Sequence, residues 1–287
     1  MFDSSPEPLV LDGGLATELE RLGFALGGGL WSARALIDAP ALLTAVHASY
    51  VAAGADLITT ASYQLSREAL ERAGRSGAEA RGLFAASVRL ARDAISSTGG
   101  PRVLLSLGPF GAWRADRSEY HGNYGVSAAR ILDHWRARLE DALLAGADGL
   151  AFETVPSLAE AELIARALAE AGGDLRRAML CFSARDEGHT SAGDPIGPAV
   201  AALSGVGFGA VGVNCTSPAR ALALVSEARL SAPAAQLALY PNGETSPLGG
   251  SWGLPALALG ARVLGGCCGS GPELTRALRQ AVDGRGR

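Results

Sequence analysis

Apolar and polar positions along these 287 residues fall into a repeating phrase. A helix-like amphipathic run ends in Gly-Ala or a similar pair, and a short, wholly apolar run follows at once. The phrase recurs over residues 50–60, 141–153, 207–215 and 259–267. Its glycine fits a helix C-cap, and an apolar run without alternation fits a strand buried on both faces of a parallel sheet. Further strand candidates at 9–11, 103–107, 178–182 and 236–240 bring the count to eight, and helical patterns occupy 41–53, 79–95, 128–144 and 158–171. Eight β/α units in a chain of this length predict a single α/β domain over residues 1–287, a (β/α)₈ TIM barrel. A doubly wound open sheet is the rival, but Asp12-Gly13-Gly14-Leu15 after the first strand lacks the dinucleotide-binding glycine pattern. Before the last strand only 254–259 looks helical, and 243–253 is rich in turn residues, so the seventh helix is expected to be short or irregular.

A barrel of this kind places its active site at the C-terminal ends of the strands. Polar residues converge there along this chain. Asp12 follows the first strand, Thr59, Thr60 and Gln64 the second, and Gly108-Pro109-Phe110 the third. Glu153 and Thr154 follow the fourth, Ser183 the fifth, Asn214 and Cys215 the sixth, Pro241-Asn242 the seventh, and Cys267-Cys268 the eighth.

Three of the four cysteines therefore meet at one end of the predicted barrel. A cysteine is most often a small buried hydrophobe, and Cys181, inside an apolar run, fits that reading. Cys267 and Cys268 fit it poorly, because adjacent residues on a strand point to opposite faces. Gly265, Gly266 and Gly269 supply the turn that lets both face one point. A vicinal disulfide is an alternative, though a strained one. Cys215, Cys267 and Cys268 are the expected ligands of a zinc ion with one open position, the mark of a catalytic metal. Three thiolates make zinc a poor generator of hydroxide, so the fourth ligand is expected to be a substrate thiol, held as its thiolate.

Asp12 and Glu153 admit three readings: caps for helices beginning near Ala16 and Pro156, a general acid–base pair, or a clamp for a substrate ammonium group. The clamp is favoured. The four histidines show no metal-ligand spacing. Tyr63, Phe110, Trp113, Tyr120 and Tyr124 are aromatics near the predicted site, able to pack beneath loops or to face a cation.

Composition narrows the partners. A hydrophobic share of 48% with 19% charged residues belongs to a folded chain rather than a disordered one. A net charge of −4 offers nothing to nucleic acid or an anionic membrane. The chain has no lysine, which excludes a lysine Schiff base and a phosphate-loop lysine. Neither a secretory signal nor a membrane span is expected, and four cysteines in a long chain suggest the reducing cytoplasm.

Taken together these motifs resemble a known family. They are Leu11-Asp12-Gly13-Gly14-Leu15-Ala16-Thr17-Glu18-Leu19, Leu30-Trp31-Ser32-Ala33, Thr60-Ala61-Ser62-Tyr63-Gln64, Gly108-Pro109-Phe110-Gly111-Ala112, Ser118-Glu119-Tyr120, Phe152-Glu153-Thr154, Gly212-Val213-Asn214-Cys215, Tyr240-Pro241-Asn242 and Gly265-Gly266-Cys267-Cys268-Gly269. Over nearly its whole length the chain resembles the homocysteine S-methyltransferases that use S-methylmethionine and share a zinc domain with betaine–homocysteine and cobalamin-dependent enzymes. The resemblance implies a TIM barrel with zinc on Cys215, Cys267 and Cys268, and homocysteine held by Asp12 and Glu153, with Tyr63 and Asn214 at the same site. It also implies transfer of a sulfonium methyl group to the homocysteine thiolate, giving methionine, with homocysteine and the sulfonium donor as small-molecule partners. S-adenosylmethionine as donor and a zinc-binding relative without catalysis are the alternatives. Two departures stand out: Asn242 runs directly into Gly243-Glu244 where the family carries an extra serine, with a shortened stretch after it, and the family's Gly-Asp-Tyr reads Gly122-Asn123-Tyr124.

Overall fold

The computed structural model describes residue 2 and residues 7–27, 30–95, 100–243 and 251–284. Its strands are β1 (Leu9–Val10), β2 (Leu57–Thr59), β3 (Arg102–Leu107), β4 (Gly149–Val155), β5 (Ala178–Phe182), β6 (Ala210–Asn214), β7 (Leu237–Tyr240) and β8 (Ala261–Leu264). All neighbours pair in parallel, in the order β1-β8-β7-β6-β5-β4-β3-β2. A parallel bridge between Leu11 and Leu57, with the Asp12 amide donating to Leu57 O at 3.0 Å and the Asp56 amide to Val10 O at 2.7 Å, closes the ring. The expected eight-stranded TIM barrel is thus observed.

Helices α1 (Leu15–Arg21), α2 (Ala35–Asp38) and α3 (Pro40–Ala52) lie between β1 and β2, and α4 (Arg67–Arg72) and α5 (Ala80–Asp93) between β2 and β3. One helix follows each later strand: α6 (Ala128–Ala142), α7 (Leu158–Glu170), α8 (Ile196–Val206), α9 (Pro218–Ser231), α10 (Gly253–Ala258) and α11 (Pro272–Asp283). Local chemistry sets many of their starts. Ser66, Ser127, Ser157 and Ser217 cap α4, α6, α7 and α9 by accepting an amide hydrogen from the first turn, while Pro40, Pro218 and Pro272 begin α3, α9 and α11. The seventh helix, α10, spans six residues, as expected. Much of the shortened stretch before it, from Glu244 to Gly250, lies outside the described residues.

The barrel interior is filled by Leu9, Leu11, Leu57, Leu104, Ala151, Met179, Cys181, Ala210, Ala238, Tyr240 and Val263, with Phe2 among them. Cys181 is fully buried there, in the structural role expected of it. A second, larger apolar layer fills the space between barrel and helices. Gly212 is obligatory within this frame, since a Cβ at that position would lie 1.8 Å from the Ala238 carbonyl oxygen on β7. Burial on both faces explains why these strands read as unbroken apolar runs. Among the described residues no single helix is long and apolar enough to cross a membrane.

Candidate active site

The β1, β6, β7 and β8 ends are knitted together by backbone hydrogen bonds. The Cys267 amide donates to Pro241 O at 2.8 Å, Cys215 N to Tyr240 O at 3.3 Å, Gly243 N to Cys268 O at 2.7 Å, and Gly266 N to Asp12 O at 3.0 Å. Gly269, at φ +78°, turns the chain after the cysteine pair and donates its amide to Thr17 Oγ1 at 2.9 Å. This turn lets adjacent cysteines face one point. The Sγ atoms of Cys215, Cys267 and Cys268 lie within 4.8 Å of one another, with 3.9 Å between Cys215 and Cys268. A tetrahedral ion with metal–sulfur bonds near 2.3 Å needs ligand sulfurs about 3.8 Å apart, so the cluster fits a zinc-sized, thiophilic cation. It offers three ligands, one short of a closed site. Asn214 Nδ2 lies 3.9 Å from Cys267 Sγ, and the Tyr120 hydroxyl 3.5 Å from Cys215 Sγ. The thiols pull one another's titration apart. Cys268, stabilised as thiolate by hydrogen bonds from Cys215 and Cys267, is drawn down to about 3, and its two neighbours are pushed up. A cation would bind the three as thiolates and so relieve this competition.

Above the cluster opens a cavity of about 650 Å³ lined from every strand end except that of β5. Ser183 is spent on its neighbours: it donates to Thr154 O at 3.4 Å and accepts from the Ser191 hydroxyl. The expectation that the fifth strand adds a polar residue to the site is therefore corrected. At β3 and β7 it is Ser106 and Tyr240, two residues and one residue before the expected positions, that reach the cavity wall.

Asp12 and Glu153 stand together in this cavity, and neither is a helix cap. Gly14 begins α1 without a side-chain cap, and Ser157 caps α7. Asp12 instead accepts from the Thr59 amide at 2.8 Å and from the Thr59 hydroxyl at 3.0 Å. Burial pushes its carboxyl well above the ordinary value, against the pull of those bonds, and nearby Glu153 adds to the rise. Glu153, which accepts from the Ser106 hydroxyl, is pushed up to about 7, mainly by burial, with Cys268 adding to it and the Ser106 and Tyr240 hydroxyls opposing. Two neighbouring buried carboxyls gain most from a shared cation. Glu153 and Thr154 lie within β4, not beyond it, where the pairing with β5 shifts register between Phe152 and Val155. Such a bulge re-aims side chains.

Tyr63 is held by remote support. Arg138, buried on α6, donates to the carbonyls of Leu65 at 2.8 Å and Tyr63 at 2.6 Å, and also to Gly108 O. Gly108 leaves room for the Tyr63 ring, which a Cβ would meet at 2.7 Å. Trp31 stands edge-on to Tyr63 with ring centroids 6.1 Å apart and lines the cavity too. Of the other expected aromatics Tyr120 reaches the lining, whereas Phe110, Trp113 and Tyr124 pack beneath the same loop, around His134 and Glu160. Trp31, Ser106, Arg117 and Glu119 line the cavity without having been singled out from the sequence as site residues.

One backbone signature marks the whole cavity. Among the described residues the non-glycine positions with positive φ are Trp31, Ala115, Arg117, Thr154 and Cys215, and every one of them lines it. Strained backbone gathers where function over-determines it. Asn123, the departure from the family's acidic residue, is exposed and outside the lining, so the cavity's charge is unaffected.

Comparison with known proteins agrees with this geometry. A family model described as homocysteine S-methyltransferase matches residues 9–282. The chain belongs to the homocysteine S-methyltransferase family. Relatives include homocysteine S-methyltransferase YbgG of Bacillus subtilis, 39% identical over 92% of this chain and 91% of that one. Another is homocysteine S-methyltransferase of Escherichia coli, 37% identical over 94% of each. The metallated crystal structure of the Escherichia coli homocysteine methyltransferase MmuM superposes with a TM-score of 0.87 at 36% identity, covering 96% of both chains. Membership makes the chain an enzyme of the methyltransferase class.

Proposed function

We propose that this enzyme transfers a methyl group from a sulfonium donor, S-methylmethionine by preference, to the sulfur of L-homocysteine, with zinc held by Cys215, Cys267 and Cys268. The observation that carries the reading is the three-thiol cluster and the Asp12–Glu153 pair in one cavity. A zinc ion bound there supplies the positive charge that keeps an incoming thiol ionised at neutral pH. Asp12 and Glu153 hold the homocysteine ammonium group, and its binding offsets their burial as carboxylates. Tyr63 closes the side of the same subsite, and Asn214 fixes the strand ends that carry Glu153 and Cys215.

In the transfer a new S–CH₃ bond forms on homocysteine as the S–CH₃ bond of the sulfonium breaks. The bonding pair leaves on the donor sulfur, which becomes a neutral thioether, and the thiol proton goes to solvent. With S-methylmethionine both products are methionine. No protein base is required in this scheme; the residues supply alignment of the two sulfurs.

Metal-analysed protein is to be assayed for methionine formation from homocysteine, with S-methylmethionine and S-adenosylmethionine offered separately. One bound zinc per chain with turnover favouring S-methylmethionine is expected. Preference for S-adenosylmethionine would overturn the donor assignment. Bound zinc without turnover from either donor would overturn the reaction.

A further inference from the structure

The loop between β3 and α6 carries two opposite charges into the cavity that the acceptor site does not use. Arg117 and Glu119 both line it. Glu119 is 8% exposed, and its Oε2 is buried without a hydrogen-bond partner among the described residues. Burial raises its carboxyl above the ordinary value, with Asp116 adding to the rise, while a hydrogen bond from its own backbone amide and the charges of Arg117 and His121 pull it the other way. Arg117 is exposed and held at φ +66°, with Ala115 at +52°, so the loop is bent against its own preference at the cavity rim. A buried carboxylate oxygen without a donor is costly unless a ligand supplies one.

The loop is firmly placed. Glu160 on α7 accepts from the Phe110 amide and the Tyr124 hydroxyl, both at 2.6 Å, and from the Trp135 indole at 3.1 Å. Arg114 donates to Tyr124 O at 2.7 Å. Next to Glu119, Tyr120 brings its hydroxyl 3.5 Å from Cys215 Sγ, so a ligand seated on this loop presents its reactive end close to the thiol cluster.

We propose that Arg117 and Glu119 form a second amino-acid subsite, in which Glu119 takes the α-ammonium and Arg117 the α-carboxylate of the methyl donor. The inference rests on the methyl-transfer reading and names the donor's chemical class: a sulfonium bearing a free α-amino acid, as opposed to one lacking the ammonium group. The cavity, about 650 Å³, has room for two amino-acid-sized ligands. The acceptor's ammonium goes to Asp12 and Glu153, and the donor's to Glu119. With four carboxylates in the lining, Asp12, Glu20, Glu119 and Glu153, against the one guanidinium of Arg117, the site also favours a donor whose net charge is positive.

The test compares S-methylmethionine with 4-(dimethylsulfonio)butanoate, the same sulfonium acid without its ammonium group, at saturating homocysteine. Glu119→Gln is expected to raise KM for S-methylmethionine about tenfold or more, the scale of a lost charge-assisted hydrogen bond. KM for the des-amino donor, KM for homocysteine and metal content should stay as in the parent enzyme. Arg117→Gln should raise KM for both donors, because both carry the carboxylate. An equal effect of Glu119→Gln on both donors, an effect on homocysteine instead, or no effect would overturn the assignment. Should the parent protein turn over neither donor, the methyl-transfer reading fails by itself. Calorimetric binding of the two compounds then decides the subsite: a preference for S-methylmethionine erased by Glu119→Gln upholds it, and equal binding overturns it.

Discussion

Asn214 and Thr154 hold each other in a closed pair: Thr154 N donates to Asn214 Oδ1 at 2.8 Å, and Asn214 Nδ2 donates to Thr154 Oγ1 at 3.0 Å. The pair joins the end of β6 to the bulge of β4. Thr154 is itself strained, at φ +62°, and follows Glu153, while Asn214 precedes the strained Cys215, at φ +53°. One buried amide thus holds the carboxylate's strand in register with the thiol's. Asn214→Ala removes two buried hydrogen bonds and is expected to cost about 2 kcal/mol of stability. It should also raise KM for homocysteine, as Glu153 loses its aim. Urea unfolding and steady-state kinetics check the two effects; lost stability with an unchanged KM would show that Glu153 keeps its place without Asn214.

The two carboxylates can be separated from the metal by substitution. Asp12→Asn and Glu153→Gln keep the shape of each side chain and remove its charge. Each is expected to raise KM for homocysteine about tenfold or more, the scale of a hydrogen bond to a charged group. Metal content should remain that of the parent protein, because neither group is among the three sulfur ligands. Loss of metal along with binding would assign these residues to the framework of the site instead.

The same site shows what a sequence reveals and what it conceals. The strands were legible because a parallel strand buried on both faces has no polar positions to blur it, and β5 appears with its expected bounds. The cysteines were legible because two adjacent thiols among glycines suit no ordinary strand. The β4 bulge was hidden, since a register shift at Glu153–Thr154 depends on how β5 pairs with it and has no local signal. Arg117 and Glu119 were hidden for a related reason. Their loop is placed by Glu160, 41 residues beyond Glu119, and by Arg114, through contacts that no periodicity encodes. The emptiness of β5's end is also a tertiary matter, because Ser183 finds its partners in Thr154 and Ser191.

Burial of His47 predicts an acid-sensitive fold. This histidine, on α3, is 0% exposed, and neither ring nitrogen has a hydrogen-bond partner among the described residues. Desolvation lowers its pKa from 6.5 to about 4. Between those values the unfolded chain binds a proton that the folded one refuses, so this contribution to stability is complete above pH 6.5 and is lost as pH falls toward 4. The loss amounts to about 3 kcal/mol at 1.36 kcal/mol per unit. His47→Leu should flatten that part of the stability profile while leaving the metal site untouched. Unfolding midpoints measured from pH 4 to 7 would refute the assignment if the parent and variant curves ran parallel.

Cys268→Ser and Cys181→Ser, one at the barrel mouth and one inside it, give the sharpest separation of metal binding from folding. Cys268 is exposed and belongs to the three-sulfur cluster, so a hydroxyl there costs little packing but leaves only two thiolates. Loss of an outer-shell partner alone weakens metal binding about 10–100-fold, and loss of a direct ligand should exceed that. Cys268→Ser is therefore expected to emerge folded, metal-poor and inactive. Cys181→Ser places a hydroxyl in the apolar barrel interior, where burial already keeps the thiol from ionising. It is expected to lower stability by about 1–3 kcal/mol while retaining a full complement of metal. Metal analysis beside thermal unfolding reads both. A fully metallated, fully active Cys268→Ser enzyme would mean that the cluster is not where the acceptor thiol is held, and the proposed chemistry would have to be given up.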